Sequence, residues 1–500
     1  MHIRNLFPGL MTCIALYSQA AVLSVAPGEL GNTVTISPSE TTLTLQGEIN
    51  ASDLHYIATN LKSLHTLDLS KAEIGEHNGA RLAANIHYHP AQTLPAYALS
   101  GLSVTNLILP ATITAIGDGA LMSASITSIT IPASVHTIGK GAFADCRSLA
   151  SVTVPATVTS VGSHIFDGCT ALKDVTWSAD HIPASAFAEC SNLSNVTLGE
   201  NVNEIGDYAF AGCTSLSTLV FPSRLTSIGS HAFTKSGLTR VDLTSSDALD
   251  TLGSYAFALC PSLSSVSLPD KLKTIGEGAF FDDTDLTDLS LAASLTSLPD
   301  VALKGATSIT DATGLLPEGI SKIGTLAMAG MDNAQAISLP SSLTHIGDNA
   351  FEGWYSLSSV DAGALQEIPT LGKDVWFGVS QQDATLLVAE GMEKQYAATP
   401  QWKEFRIGRS AILDVITDGS IAGSPHITVT TIDNHLHVTS TAPMASARLY
   451  DLEGNLLAVN RDINAVETDI DMAYRHATIF ILHVTLCDGN SAAVKLAMTH

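Results

Sequence analysis

The stretch Ile205–Pro222 reads IGDYAFAGCTSLSTLVFP. Its pattern, Ile-Gly-x-x-Ala-Phe-x-x-Cys-x-x-Leu-x-x-Leu-x-Phe-Pro, recurs on both sides. The Ile-Gly pair, or a close substitute, falls at Ile116, Ile138, Val161, Ile182, Ile205, Ile228, Leu252, Ile275, Leu298, Ile323 and Ile346. The 230 residues from Ile116 to Ile346 are covered in ten steps, a period of 23. Self-similarity at this spacing is the signature of a stacked solenoid, because one coil cannot bury its apolar face alone and neighbouring coils bury it for each other.

Each position of the unit has a physical task. Leu193-Ser194-Asn195-Val196-Thr197-Leu198 alternates apolar and polar, the pattern of a short strand with one buried face. Pro110, Pro132, Pro155, Pro222, Pro269 and Pro340 follow this strand in their copies and, lacking an N–H, end its ladder. The glycine of Ile-Gly serves either a sharp bend or a close approach between coils. Ala-Phe-x-x-Cys-x-x-Leu has the i, i+3 spacing of a short helical turn facing back onto the strands. Its Phe column holds Phe143, Phe166, Phe187, Phe210, Phe233, Phe257, Phe280 and Phe351, with Leu121, Leu303 and Met328 in weaker copies. Stacking would set these side chains in one buried file. That file is core, not a cofactor site.

Composition narrows the function. Hydrophobic residues make up 45% of the 500 and charged residues only 14%, so Ser and Thr carry much of the surface. A net charge of −25 without any Lys/Arg run argues against nucleic acid or anionic membrane as partner, since both need a basic face.

Residues 1–20, with Arg4, an apolar stretch from Leu6 to Tyr17 and the small-x-small Ser18-Gln19-Ala20, read as a secretory signal peptide. Residues 21–60 read as an N-terminal β cap, with Thr33–Ile36 and Leu43–Leu45 as strands. The solenoid runs over 61–408, with an irregular histidine-bearing insertion at 75–93 and degraded copies between Asp300 and Gln335. Tyr396, Trp402 and Phe405 close it. A small-residue linker at 409–425 leads to 426–500, where short alternating segments and the turns Asp451–Asn455 and Asp488–Asn490 indicate an immunoglobulin-like β-sandwich of six or seven strands.

The repeat unit resembles the BspA-like leucine-rich repeats of bacterial surface proteins, over roughly residues 43–408. Leu43–Gly47 with Leu67–Ser70 at one end, and Tyr396 with Trp402–Phe405 at the other, are similar to that family's termini. The resemblance implies a leucine-rich-repeat solenoid of short parallel strands and short helical turns, displayed at the cell surface and engaged in adhesion or binding of host proteins. Leu449-Tyr450-Asp451-Leu452-Glu453-Gly454 and Phe480–Val484 resemble the C-terminal sorting domain of type IX secretion. The glycine usual before the late strand is replaced by Ala477-Thr478, so a non-sorting immunoglobulin-like appendage stays open as the alternative.

Chemistry-bearing clusters are few. Cys146, Cys169, Cys190, Cys213 and Cys260 share one repeat position, so their side chains point in parallel; Cβ atoms at the ~4.8 Å strand spacing neither meet disulfide geometry nor converge on one zinc. They read as buried small hydrophobes. His87-Tyr88-His89 and His435-Leu436-His437 lack a third ligand and read as solvated, as does the acidic turn Asp282-Asp283-Thr284-Asp285. No nucleophile elbow, zinc-protease helix or phosphate loop occurs. No enzyme activity, cofactor or metal is expected.

One surface remains. The polar residues of the strands form columns on the exposed sheet, a flat hydroxyl-rich face some ~60 Å long. Its centre is read at Thr176, Thr197, Thr218, Val220, Arg240 and Asp242, in four successive coils, with Arg240 as anchor. Such a face suits an extended extracellular protein or glycan. The reading is therefore an exported adhesin on a Gram-negative outer surface. The alternative is a self-associating structural component of a surface or matrix assembly, and a third reading is a glycan-active enzyme.

Overall fold

The computed structural model describes residues 21–78, 88–389, 391–409, 427–432, 435–450, 456–471, 479–487 and 491–497. Contacts divide the chain into two compact units, 1–409 and 410–500. The leader read at 1–20, the linker beyond Arg409, His87 and the turns at 451–455 and 488–490 lie outside the described residues.

The first unit is a solenoid whose typical coil contributes two short parallel strands. One carries the period-two pattern: Asp174–Trp177 pairs with Asn195–Leu198, Val175 against Val196 and Thr176 against Thr197. The other ends on the Ile of Ile-Gly, as in Glu204–Ile205 against Ser227–Ile228. A turn bearing the Phe joins them. Its i→i+3 bonds are present, from Ala144 N–H to Gly141 O at 3.0 Å and from Cys146 N–H to Phe143 O at 3.3 Å. The turn does not run on into a helix, because two residues per coil, two before and two after the Phe, are left-handed: Gly141 and Asp145, His164 and Gly168, Tyr208 and Gly212.

That backbone shape turns three N–H groups per coil toward the next coil. Gly141, Phe143 and Asp145 donate to the carbonyls of Ser163, Ile165 and Asp167 at 2.9, 2.9 and 2.7 Å. The same threefold bonding repeats at every junction from Tyr97 to Asn349. A left-handed L-residue costs ~1–2 kcal/mol, and the three inter-coil hydrogen bonds, at a net ~1 kcal/mol each, offset it. Even Val301, β-branched, is held left-handed at φ 49°. Inside this ladder runs the Phe file, with Phe143 and Phe166 centroids 5.2 Å apart, Phe187 and Phe210 5.2 Å, Phe233 and Phe257 5.1 Å, all stacked. Each buried ring contributes about 1.5–3 kcal/mol by burial.

The glycines of Ile-Gly serve close approach rather than a bend. A Cβ on Gly253 would lie 2.4 Å from the Gly229 carbonyl carbon, and one on Gly276 2.3 Å from the Ser254 nitrogen. Where proline replaces this glycine, the two-residue ladder stops. Three separate sheets on that face begin at Thr93–Leu94, His181–Ile182 and Ser297–Leu298, strands followed by Pro95, Pro183 and Pro299. Glycine at this position donates to the preceding coil, as Gly162 does to Ile138 O at 2.8 Å, and proline cannot.

The N-terminal cap consists of β1 (Ala21–Ser24), β2 (Thr42–Ile49), α1 (Ala51–Asn60) and β3 (Thr66–Ile74), the three strands parallel. The strand expected at Thr33–Ile36 does not form; only a bridge between Leu30 and Val34 is present. Helix α1 was not anticipated, though Asn50-x-x-Asp53 announces it. The Asp53 carboxylate is fully buried and accepts the N–H groups of Gly28, Leu30 and Asn50 at 2.8, 2.9 and 2.9 Å. At the other end Trp376 stacks on Phe351 at 4.6 Å and meets Trp402 and Phe405 edge-on, ending the aromatic file. Gln401 completes the ladder: its Oε1 accepts the Val375 N–H at 2.8 Å and its Nε2 donates to Gly372 O at 2.8 Å.

The second unit is antiparallel. Its described strands are five, and two of them, His435–Tyr450 and Leu456–Asp471, are 16 residues long where shorter segments were expected. The first pairs with Ile427–Ile432 through one half and with Ile479–Leu486 through the other, with register shifts between Thr439 and Ser446. Both halves share one core of Leu436, Val438, Met444, Leu449, Phe480 and Val484.

The close approach at Ile-Gly gives a direct prediction. Gly253→Ala lowers stability by about 2 kcal/mol through overpacking against backbone. Gly141→Ala, left-handed but without a clash, costs only about 1 kcal/mol. Urea denaturation of both variants checks the order, and a smaller loss at Gly253 would remove inter-coil approach as the reason for that glycine column.

Candidate binding face

The six residues read as the face are all exposed, but the structure does not join them into one ladder. Thr176 and Thr197 are register partners in the eight-stranded sheet that begins with β1 and ends at Asn195–Leu198. Arg240 and Asp242 belong to a separate three-stranded sheet. Thr218 and Val220 lie between the two in a coil without strand pairing, and Val220 is 85% exposed. The continuous strand column expected there is thus broken. Arg240 is also engaged already, its Nη2 3.1 Å from Asp242 Oδ2. The Thr244 hydroxyl and N–H, and then Arg240, hold the Asp242 carboxyl below its usual range.

What is continuous lies further toward the N-terminus. Thr130, Thr153, Thr176 and Thr197 are successive register partners, all exposed. Their hydroxyls bond to no other described group. Thr137, Thr218, Thr251 and Thr274 share this state, whereas a second set of threonines bonds between coils. Thr105 donates to His65 O at 3.2 Å, Thr127 to Thr105 O at 3.1 Å, Thr239 to Ser217 O at 3.2 Å and Thr287 to Ser264 O at 3.1 Å. Thr226, Thr344 and Thr370 do the same on the second strand edge. One population of hydroxyls stitches coils together, and the other is left for solvent or a ligand. Sequence spacing shows the column but not which hydroxyls are spent.

The cysteine column is a structural device. Cys146, Cys169, Cys190, Cys213 and Cys260 are buried and unbridged. Each Sγ donates one coil back to the Phe-column carbonyl, at 3.1 Å to Leu121, 3.2 Å to Phe143, 3.1 Å to Phe166, 3.2 Å to Phe187 and 3.2 Å to Phe233. Trp354, in the same column, donates its Nε1 to Met328 O at 2.6 Å. Burial pushes the Cys190 and Cys260 thiols up to about 12.

Asp283 occupies this column too, which corrects the reading of Asp282–Asp285 as a solvated acidic turn. Its side chain is fully buried; Oδ1 accepts the Cys260 N–H at 2.8 Å and Oδ2 has no partner. Burial pushes its carboxyl well above the ordinary range. Burial thus favours the neutral acid at a position the column otherwise fills with cysteine. His89, read as solvated, is likewise inside: it is opposed to His77 across a two-residue antiparallel pair, and both are buried. Desolvation, then the charge of His77, holds the His89 imidazole below its ordinary range. Among the described residues no three His, Cys, Asp or Glu side chains converge as a metal site requires.

Comparison with known proteins agrees with this geometry. Residues 92–181, 180–310 and 310–381 match the profile of the BspA type leucine-rich repeat region, in six copies. The chain belongs to the BspA-type leucine-rich repeat family. A leucine-rich repeat protein from Bacteroides ovatus shares 21% identity over 71% of this chain and 92% of its own, with a TM-score of 0.47. A leucine-rich cell surface protein from Faecalibacterium prausnitzii shares 27% over 50% and 82%, TM-score 0.30, and the pneumococcal vaccine antigen PcpA 15% over 78% and 83%, TM-score 0.32. No curated protein matches. The boundaries of the BspA-type matches, near 181 and 310, fall within a coil or so of the ladder interruptions.

The buried Asp283 carboxyl gives a pH prediction. Its pKa is raised on folding, so its contribution to stability is full below the unfolded carboxylate range, about 3.9, and declines as pH rises through the folded value. Asp283→Asn keeps an acceptor for Cys260 without a charge. The variant is expected to be more stable than the parent at pH 8, with the difference shrinking toward pH 4. Equal thermal midpoints across that range would show that the carboxyl carries no such penalty.

Proposed function

We propose that this BspA-type protein is an exported, non-enzymatic binding protein that captures an extracellular protein or glycan on its strand face. The observation that carries the reading is the in-register row Thr130, Thr153, Thr176 and Thr197, whose hydroxyls are exposed and unspent. A rigid row of donors and acceptors pays little ordering entropy on binding. Asp174 and Asn195, joined at 2.7 Å through Oδ1 and Nδ2, flank it and add polar recognition. The site thus centres between three and four coils closer to the N-terminus than Arg240, whose charge Asp242 already holds.

The test is a binding screen of the full chain against an array of extracellular matrix proteins and polysaccharides. Thr176→Arg with Thr197→Arg is expected to weaken capture at least tenfold with an unchanged melting temperature. Glu204→Arg with Thr251→Arg, on the other strand face, is expected to leave it intact. Capture lost in the second pair and kept in the first would place the site elsewhere, and self-association in place of capture would favour the structural reading.

Export follows from the leader read at 1–20 and from the sorting-like second unit. Among the described residues no helix is long and apolar enough to cross a membrane. We expect the second unit to direct passage to the outer surface, with removal of residues 426–500 leaving the protein in the periplasm. Undiminished surface labelling of that truncated protein would rule out the sorting role.

A further inference from the structure

Hydrogen bonding between coils is uneven around the solenoid. On the turn side it is complete. Ser185, Phe187 and Glu189 donate to Asp207, Ala209 and Ala211 at 2.8, 2.8 and 2.7 Å, and Val301, Leu303 and Gly305 donate to Thr325, Ala327 and Ala329 at 2.9, 2.8 and 2.8 Å. Both strand faces, by contrast, are interrupted twice. Among the described residues no backbone hydrogen bond joins 194–199 to 217–222, or 288–293 to 308–315. The two-residue ladder stops before Pro183 and before Pro299, two coils and one coil ahead of these places, and it is continuous across them, Glu204–Ile205 pairing with Ser227–Ile228 and Ser297–Leu298 with Lys322–Ile323.

Packing loosens where the bonds are missing. Val152, Val154, Val175, Val241 and Leu243 point inward from intact strands and are 0–4% exposed. At the first interruption the corresponding Val196, Leu198 and Leu219 are only partly buried, and at the second so are Leu289 and Leu291. Backbone amides without partners and half-covered core side chains both lower the cost of local opening. The turn ladder stays intact across both places, over stacked Phe rings at the first and over Leu303 and Met328 at the second, and with the two-residue ladder it fixes the side about which opening occurs.

We infer that the solenoid is three rigid blocks hinged along the turn ladder, with the strand face able to open near 198–240 and near 290–312. The motion is a hinge in which a few element-terminal residues absorb the change while the blocks keep their packing. It varies the curvature of the strand face, and it stands whether or not that face binds a partner.

Spin-label distances on the full chain test this. In a Cys13→Ser, Cys487→Ser background, Ser128→Cys with Arg240→Cys spans the first hinge over five coils, ~24 Å at strand spacing. Thr66→Cys with Asn195→Cys spans five coils inside the first block, through register partners Asn106, Ser128, Ser151 and Asp174. The buried native cysteines stay unlabelled. The distance distribution across the hinge is expected to be at least twice as broad as the one inside the block, and a smaller ratio overturns the proposal. Hydrogen exchange supplies the second condition. The amides of Ser185, Phe187 and Glu189 are expected to stay within tenfold of Gly141, Phe143 and Asp145. Faster exchange there would mean that the coil unfolds rather than hinges.

Discussion

The bond from a turn N–H to a carbonyl of the next coil is what the rest of the solenoid depends on. It forms only if two residues per coil adopt the left-handed conformation, and that conformation is unfavourable for twelve or so of the side chains that hold it, Tyr97, His231 and Val301 among them. The strain is tolerable because each coil delivers three such bonds, the middle one from the fully buried residue of the Phe column. The bonds also set the coil spacing. Phe rings then stack near 5.2 Å, and the Ile-Gly backbone comes so close to its neighbour that a Cβ is excluded. The Phe file, the glycine column and the cysteine column are all consequences of that one repeated contact.

The period of 23, the strand pattern and the Phe file were legible because each rests on residue type at fixed spacing. Other features had a signal that went unread. Asn50-x-x-Asp53 marks α1, and the exchange of glycine for proline at Pro183 and Pro299 marks the ends of two ladders. The break at Thr218 and Val220 had none: Thr218-Leu219-Val220 alternates as well as any strand of the solenoid, and we have no physical account of why it fails to pair. The binding row was half visible. Spacing placed Thr176 and Thr197 on one exposed column, but only the hydrogen bonds distinguish their hydroxyls from that of Thr127, and only the pairing shows that Arg240 belongs to another sheet.

Cysteine recurs in its column for its geometry, not its redox chemistry. The position needs a side chain small enough for the core and able to offer a hydrogen to a carbonyl one coil back. Cysteine meets both needs, Trp354 offers its indole N–H to the same kind of carbonyl, and Ser236 fits the space while its Oγ lies 3.3 Å from Cys260 Sγ of the next coil. Asp283 fits the space and accepts the Cys260 N–H through Oδ1, but its Oδ2 has no partner, so it leaves the column's bond to the preceding coil unmade.

The same logic accounts for part of the charge of −25. This fold produces N–H groups at bends that no carbonyl reaches, and aspartate is the shortest side chain that accepts from them strongly. Asp118, Asp207, Asp300 and Asp348 each take the N–H of the following coil at 2.7 Å. Asp68, Asp311 and Asp361 take one two residues on, at 2.8, 2.8 and 2.9 Å. Lysine and arginine have no acceptor to offer and cannot replace them. A long solenoid with many such bends gathers carboxylates as it grows. Part of its acidity is then a by-product of satisfying backbone, and the row from Thr130 to Thr197 is an in-register stretch of strand face whose hydroxyls architecture does not claim.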